Sequence, residues 1–243
     1  MILKLTIAFM FIFISQFSVN LQQCGKNVFD SKFKKSTGLV HYFPFYYNTH
    51  DVISEFDLKE GSNVSLTFGR PNKLSSYLNI RSGYYKFRPT QAMNNDFSVL
   101  LWAKVNSKQD WQRVIDFGNG ALSNNIVCSL AVGPTLTPAF QYYIGSNITF
   151  FLISSIELQL NTWHYLAYVL SYPTAYIYID GQLTGSMNII GRQLSITRNN
   201  SYIGRSNWMN DADVDAAFDE LKIFNRSLTR DEVLFEMNNE IFL

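Results

Sequence analysis

Short segments in which apolar and polar side chains alternate dominate this sequence and limit what it can fold into. Every odd-numbered residue of 97–105 is apolar and is predicted to face a core. A second segment, 174–179, places Ala175, Ile177 and Ile179 on one face and ends at Asp180-Gly181. Asp-Gly after an alternating segment predicts a two-residue hairpin, because its type I′ turn needs positive φ at both positions. The pattern therefore favours an antiparallel sheet.

The rest of the chain repeats this pattern and shows little helical periodicity. One helix is predicted at the end, where Thr229 and Glu232 form a capping box and the helix runs to about Met237. About a dozen strands with turns between them predict a closed or double-sheet antiparallel architecture. The further predicted strands are 39–45, 64–68, 114–117, 125–132, 139–145, 149–154, 163–170, 201–203 and 218–224.

The N-terminal residues predict export from the cell. Lys4 precedes an apolar run over 5–14, and polar residues follow, as in a secretory signal peptide over 1–20. A retained anchor and a buried N-terminal element are the alternatives. No later stretch is apolar for long enough to cross a bilayer, so no stable membrane insertion is expected after cleavage. We expect an extension over 21–37 and a single domain over 38–243.

Composition excludes some classes of protein and partner. Charged residues make up 16% of the chain and aromatic residues another 16%, which excludes intrinsic disorder. The net charge is +1, too small to hold a nucleic-acid backbone.

Two further sequence features fit a secreted chain. Cys24 and Cys128 are the two cysteines, and they predict one disulfide in an oxidising compartment, with two unrelated thiols as the alternative. Asn-x-Ser/Thr acceptor sites for glycosylation occur at Asn63, Asn147, Asn199 and Asn225.

Several motifs share an order and spacing that match a known family. They are Asp96-Phe-Ser-Val-Leu-Leu-Trp-Ala-Lys104, Trp111-Gln-Arg-Val-Ile-Asp-Phe-Gly118, Asn161-Thr-Trp-His-Tyr-Leu-Ala-Tyr168, Ala175-Tyr-Ile-Tyr-Ile-Asp-Gly181, Ser201-Tyr-Ile-Gly204 and Phe218-Asp-Glu-Leu-Lys-Ile-Phe-Asn-Arg-Ser-Leu-Thr229. Over roughly residues 38–238 the chain resembles the laminin G-like domains of the concanavalin A-like lectin/glucanase superfamily, the branch related to pentraxins. The resemblance implies an all-β jelly-roll sandwich of two antiparallel sheets.

The resemblance also suggests calcium, which members of the family often hold with loop oxygens. Asn48, Asp51 and Asp219 are the candidate Ca²⁺ ligands, with an ordinary acidic rim as the alternative. Asp219 and Glu220 are expected to begin the last strand and to lie beside the loops. The acidic run 211–215 lacks the glycine and the bidentate glutamate of a helix-loop-helix calcium loop, which excludes that type of site.

One short motif suggests a rival activity. Glu55, Asp57 and Glu60 satisfy the Glu-x-Asp-x-x-Glu pattern that supplies nucleophile, helper and acid/base in a glucanase branch of the superfamily. The motif comes early in the chain and is followed directly by 61–63, which leaves little strand to carry it. We therefore predict no enzyme activity, with a retaining glycoside hydrolase as the alternative.

Binding is the favoured function. Sugars dock on aromatic faces beside amide and carboxylate groups, and Trp111, Trp208 and Asn210 lie near predicted turns where such a surface can form, as do Tyr142 and Tyr143. Trp208 lies outside any apolar alternation. The sequence predicts a secreted binding module for glycans or extracellular proteins, with a structural coat or matrix protein as a further alternative.

Overall fold

The computed structural model describes residues 37–70, 75–191 and 195–239. The predicted signal peptide over 1–20, the extension up to residue 36 and Cys24 lie outside these residues. Gly38–Glu240 forms one compact unit. None of the described helices is long and apolar enough to cross a membrane.

Antiparallel strands build this unit, and one short helix follows them. The elements are β1 (Leu39–Phe43), β2 (His50–Asp51), β3 (Phe56–Asp57), β4 (Gly61–Phe68), β5 (Ser76–Phe87), β6 (Phe97–Val105), β7 (Arg113–Gly118), β8 (Ile126–Ser129), β9 (Ala139–Ile144), β10 (Asn147–Ile153), β11 (Trp163–Ser171), β12 (Thr174–Ile179), β13 (Gln182–Asn188), β14 (Asn200–Ile203), β15 (Val214–Phe224) and α1 (Arg230–Asn238).

The strands form a jelly-roll sandwich, as the sequence predicted. Hydrogen bonding follows the order β10-β9-β8-β7-β14-β5-β15-β6-β11-β12-β13, with β1 paired to β15 and β4 to β5. The first layer consists of β10, β9, β8, β7 and β14. The second layer consists of β15, β6, β11, β12 and β13. Strand β5 belongs to both, because Tyr85–Phe87 pairs with β14 while 78–83 pairs with β15. The end strands also meet, since the N–H of Ser155 donates to the carbonyl of Thr184 at 2.8 Å.

The hydrophobic core lies between the two layers. The ring of Phe140 in β9 lies 5.8 Å from that of Phe97 in β6 and 5.9 Å from that of Tyr168 in β11. The Tyr168 hydroxyl crosses the core and donates to the carbonyl of Ser129 at 2.7 Å. All five odd-numbered residues of β6 belong to this core, as do Ala175, Ile177 and Ile179 of β12. The predicted inward faces of both strands are confirmed.

The predicted turn and helix cap are also present. Asp180 and Gly181 have φ values of 51° and 74° and join β12 to β13. Thr229 and Glu232 form the capping box at the start of α1, where each side chain accepts a hydrogen bond from the other residue's backbone. Val233 of α1 packs on the outer face of the second layer. The helix therefore covers part of that face.

Strand β5 is the main element that the sequence pattern did not predict. A bulge interrupts its pairing with β4, where Asn63 and Ser82 have φ values of 53° and 49°. Gly83 is required there, because a Cβ atom would lie 2.1 Å from the carbonyl oxygen of Ser62.

Candidate functional site

Aromatic and polar side chains gather on the outer face of the first layer. In β9 the residues alternate, so that Phe140 and Tyr142 enter the core and Tyr143 faces outward. Trp111, Arg113, Tyr143, Phe151 and Trp208 lie on this outward side, and we call them the aromatic face. Four strands or their connections supply these five residues, which gives the surface a rigid base.

Trp111 enters the aromatic face through an unusual backbone conformation. Its φ of 58° lies in the left-handed region, which a bulky residue rarely adopts. Such local strain is often found at binding or catalytic sites. The Trp111 ring lies 6.3 Å from that of Phe151 and 5.5 Å from the guanidinium of Arg113. The half-buried indole is thus fixed beside a cation.

Arg113 is the polar centre of the aromatic face. Its Nη2 donates to Asp211 at 2.7 Å and its Nη1 donates to the hydroxyl of Ser129 at 2.9 Å. Burial lowers the pKa of Arg113 below its ordinary value, and Asp211 and Asp116 partly offset this effect. With its charge balanced by Asp211, the guanidinium acts mainly to hold neighbouring groups in place.

The loop before β15 places Trp208 against the first layer. The Ser206 hydroxyl donates to Asp211 at 2.8 Å and accepts the N–H of Trp208 at 3.1 Å. The Trp208 ring then lies 5.6 Å from that of Tyr143. Asn210 is exposed in the same loop. The Arg113–Asp211 ion pair therefore links both tryptophans named from the sequence to one surface.

A buried carboxylate anchors the base of this loop. Asp116 accepts the N–H of Asn207 at 2.8 Å, the side-chain amide of Asn207 at 2.9 Å and that of Asn125 at 2.8 Å. Burial raises the pKa of Asp116, although these hydrogen bonds act in the opposite direction. Asp116 thus fixes the loop that carries Trp208.

The two carboxylates among the candidate calcium ligands interact with basic side chains. Asp51 accepts a hydrogen bond from Nδ1 of His41 at 2.6 Å, whereas Asp219 lies 2.9 Å from Nε of Arg70. Asn48 is exposed. Among residues 37–70, 75–191 and 195–239, no three His, Cys, Asp or Glu side chains are grouped so that they could hold a metal ion. Asp51 and Asp219 therefore have different protein partners, and calcium binding by the three residues stays a prediction.

Asp219 and Glu220 do not begin the last strand, contrary to the sequence prediction. Strand β15 starts at Val214, and the two carboxylates lie buried within it at a bulge where Glu220 has a φ of 54°. Their partners are the Arg70 guanidinium for Asp219 and the Tyr42 hydroxyl for Glu220. Burial and the neighbouring Glu220 raise the pKa of Tyr42 well above its usual range.

The glucanase-like carboxylates do not share one strand. Only Asp57 lies in a strand, the two-residue β3, while Glu55 precedes it and Glu60 follows. All three are solvent-exposed, with His50 bound to Asp57 at 2.7 Å and Lys86 to Glu60 at 3.1 Å. A retaining mechanism needs two carboxyl groups that flank a bound sugar. These three residues lie instead on an exposed segment that contains the short strand β3.

The family of this chain is shown by a sequence match. The model for the concanavalin A-like lectin/glucanases superfamily matches residues 79–234, more than half of the chain. The chain belongs to this superfamily. The match contains β6 to β15 and every residue of the aromatic face.

Solved structures share this superfamily fold at low sequence identity. Domain 4 of the extracellular arabinanase AbnA from Geobacillus stearothermophilus, solved with arabinotriose, has a TM-score of 0.64 and 16% identity, covering 82% of this chain and 97% of that domain. The binding domain of Paraclostridial Mosquitocidal Protein 1 has a TM-score of 0.64 and 16% identity, covering 83% and 52%. The binding domain of botulinum neurotoxin serotype C1 has a TM-score of 0.62 and 11% identity, also covering 83% and 52%.

These similarities show the fold alone. This chain spans about half the length of each toxin binding domain. A search of curated protein sequences returns no significant match.

The other predicted sites are placed as follows. Cys128 is buried in β8 and forms no disulfide within the described residues, so its pairing with Cys24 stays a prediction. The asparagines of the predicted glycosylation sites are all exposed, as modification requires, at Asn63, Asn147, Asn199 and Asn225.

Proposed function

We propose that the chain is a secreted, noncatalytic module that binds glycans through the aromatic face. One observation carries the proposal: Trp111 and Trp208, far apart in sequence, are both connected to the Arg113–Asp211 ion pair on one sheet surface, Trp111 directly and Trp208 through Ser206. Aromatic rings pack against the apolar C–H faces of sugar rings, and nearby polar groups bind their hydroxyls.

The construction of the face suits this role. Both indoles are half-buried, which leaves ring surface exposed while their neighbours hold them in place. Tyr143 and Gln141 lie at the same surface, with the Tyr143 hydroxyl donating to Gln141 at 3.2 Å. Rigid aromatic groups bind with little loss of conformational entropy. The arabinotriose complex of the similar arabinanase domain supports a glycan rather than an extracellular protein as partner.

Secretion and the absence of catalysis belong to the same proposal. The apolar run near the N-terminus and the four exposed acceptor asparagines support an extracellular location. The open positions of Glu55, Asp57 and Glu60 support binding without hydrolysis. The proposed mode of binding uses no calcium ion at the aromatic face, where the carboxylate of Asp211 binds Arg113.

A glycan array that includes arabino-oligosaccharides tests the proposal. We expect the wild-type chain to bind a neutral oligosaccharide, and Trp208→Ala to weaken that binding at least about tenfold in calorimetric titration. Phe235→Ala, which removes an exposed ring from α1, is the control and should retain wild-type affinity.

Three outcomes would count against the proposal. They are an array without any bound glycan, equal affinity of wild type and Trp208→Ala, and hydrolysis of the bound oligosaccharide. A chelator should leave binding unchanged, because the candidate calcium ligands are bound by protein groups.

A further inference from the structure

A second group of aromatic and charged side chains lies on the opposite side of the sandwich. We call Tyr77, Trp102, Lys104 and Trp163 the Lys104 patch. Lys104 and Trp163 are register partners in β6 and β11, and the alternation of β6 turns Trp102 and Lys104 away from the core. The patch therefore lies on the outer face of the second layer, with the whole core between it and the aromatic face.

Two aromatic rings surround the ammonium group of Lys104. Its Nζ lies 5.4 Å from the ring centre of Tyr77 and 5.5 Å from that of Trp163, and those rings meet edge to face at 5.2 Å. Ala217 is the register partner of Lys104 in β15, and its small side chain leaves room for the two rings. Lys104 is thus held at one place on the surface.

The charges around the patch are unevenly paired. The neighbouring Arg70 lies 4.6 Å above the Trp102 ring and is balanced by Asp219 at 2.9 Å. Lys104 differs, since no carboxylate oxygen of the described residues lies within 4.0 Å of its Nζ. The patch therefore presents one half-buried cation without an anionic partner within the described chain.

A hydrogen-bond donor on the same face of β6 also lacks an acceptor. The indole N–H of Trp102 is buried and has no acceptor among the residues described. Buried donors in native proteins are almost always hydrogen-bonded, and those without a protein acceptor typically bind water or a ligand oxygen. The cation can pair with an anion at this surface, and the Trp102 N–H needs an oxygen acceptor such as water.

We propose that the Lys104 patch is a second binding site, for a saccharide that carries a single carboxylate, as a uronic acid does. The carboxylate pairs with Lys104 while the sugar ring packs on the exposed surface of Trp163. A charged hydrogen bond together with stacking suits a compact acidic sugar. Densely sulfated chains are disfavoured, because they need several cations and Arg70 already pairs with Asp219.

Titration of the full chain with a galacturonic acid trimer tests the proposal. The matched probe is the fully methyl-esterified trimer, which keeps the rings and removes the charge. We expect the wild type to bind the acid at least about tenfold more tightly than the ester, with affinity falling as salt is raised.

Lys104→Met is the decisive variant, since methionine keeps the length and apolar character of the side chain. It should lose this preference, whereas Lys108→Met, which removes an exposed lysine after the same strand, should keep it. Circular dichroism and thermal unfolding check that both variants fold.

The outcomes separate this site from the first one. Failure of the wild type to prefer the acid, or unchanged preference in Lys104→Met, overturns the second site. A heparin hexasaccharide that binds more tightly than the trimer and depends on Lys104 overturns the carboxylate assignment. Trp208→Ala should bind the acidic trimer like the wild type, so failure of the aromatic-face proposal leaves this test intact.

Discussion

At the scale of single residues, the pairing of Asp51 with His41 shows how this protein uses buried charge. Oδ1 of Asp51 accepts the N–H groups of Tyr42 and Ile53, each at 3.0 Å, while Oδ2 accepts from His41 at 2.6 Å and from the Ser54 hydroxyl. Both lone-pair regions of this carboxylate are occupied. Through these hydrogen bonds Asp51 anchors the loop after β1.

We expect Asp51→Asn to destabilise the protein by about 1 to 3 kcal/mol at pH 7, because the new amide N–H₂ would oppose the donors His41 and Ser54. The matched control is Asp57→Asn, which breaks an exposed Asp–His pair and should cost less than about 1 kcal/mol. Urea unfolding measures both. Equal losses of stability in the two variants would contradict the proposed role of Asp51 as an anchor of the loop after β1.

The same carboxylate sets an acid limit on stability. Burial alone would raise the pKa of Asp51, but hydrogen bonds from His41, Ser54 and the N–H of Tyr42 lower it below its ordinary value of 3.8. Its folded-state pKa is therefore the lower one, so its stabilisation is present above about pH 4 and is lost as pH falls further. Asp51→Asn lacks this dependence. Urea unfolding at pH 7, 5 and 3 should show the gap between variant and wild type narrowing only at the lowest pH.

The sequence identified some residues of the aromatic face and missed its centre. Trp111 and Trp208 stood out because each lies near predicted turns, and Trp208 also lies outside an apolar alternation. Arg113 opens a strand that otherwise reads as apolar, and nothing local shows that it will meet Asp211, 98 positions away. The one sequence feature that could have pointed to Arg113 is its position two residues after Trp111. Long-range pairing of this kind needs the fold.

At the scale of elements, the β12–β13 hairpin depends on the helix that covers it. Gly181 has a φ of 74°, and a Cβ atom there would lie 2.2 Å from a methyl carbon of Leu234 in α1. Gly145, in the β9–β10 hairpin, has a φ of 60° and no atom within 4 Å of the same position. An alanine at either position would strain the backbone, but only at Gly181 would it also clash with a neighbouring side chain. Comparing the two substitutions therefore separates the cost of strain from the cost of packing.

Gly145→Ala should cost about 1 to 2 kcal/mol through strain alone. Gly181→Ala should cost about 1 to 3 kcal/mol more, because the added methyl group also displaces α1. Adding Leu234→Ala to Gly181→Ala should recover part of that excess. Thermal unfolding of the three variants measures this, and a Gly181→Ala cost no greater than that of Gly145→Ala would refute the contact with α1.

Strand prediction succeeded where one residue pattern held from end to end. Strand β6 has an apolar residue at every odd position from 97 to 105 and lies in the predicted place. Strand β5 was missed because Ser82-Gly83 interrupts its pattern, and this interruption is the bulge at which the strand passes from one layer to the other. The alternation of inward and outward residues can be predicted from the local sequence. The position at which a strand changes its pairing partner depends on the whole sandwich and cannot.

At the scale of the whole molecule, the core separates the two proposed sites. Packed sheets lie about 10 Å apart, and the side chains of each outer face add to that distance. Changes at sites this far apart without shared partners act independently. We therefore expect Trp208→Ala to weaken only neutral-glycan binding and Lys104→Met only acid binding, with the double variant showing the product of the two effects. Calorimetric titration with both ligands would reveal coupling if either single variant weakened both.

The bulge between β4 and β5 also bears on how copies of the protein meet one another. Among the described strands, β4 pairs only with β5, so its other side presents unpaired backbone groups that another chain could join. Asn63, exposed at the bulge, is the acceptor of a glycosylation motif. Its Nδ2 donates to the carbonyl of Ser82 at 3.1 Å, so a sugar attached there would replace this hydrogen bond and add bulk beside β4, which would hinder two copies of the protein from pairing through this edge.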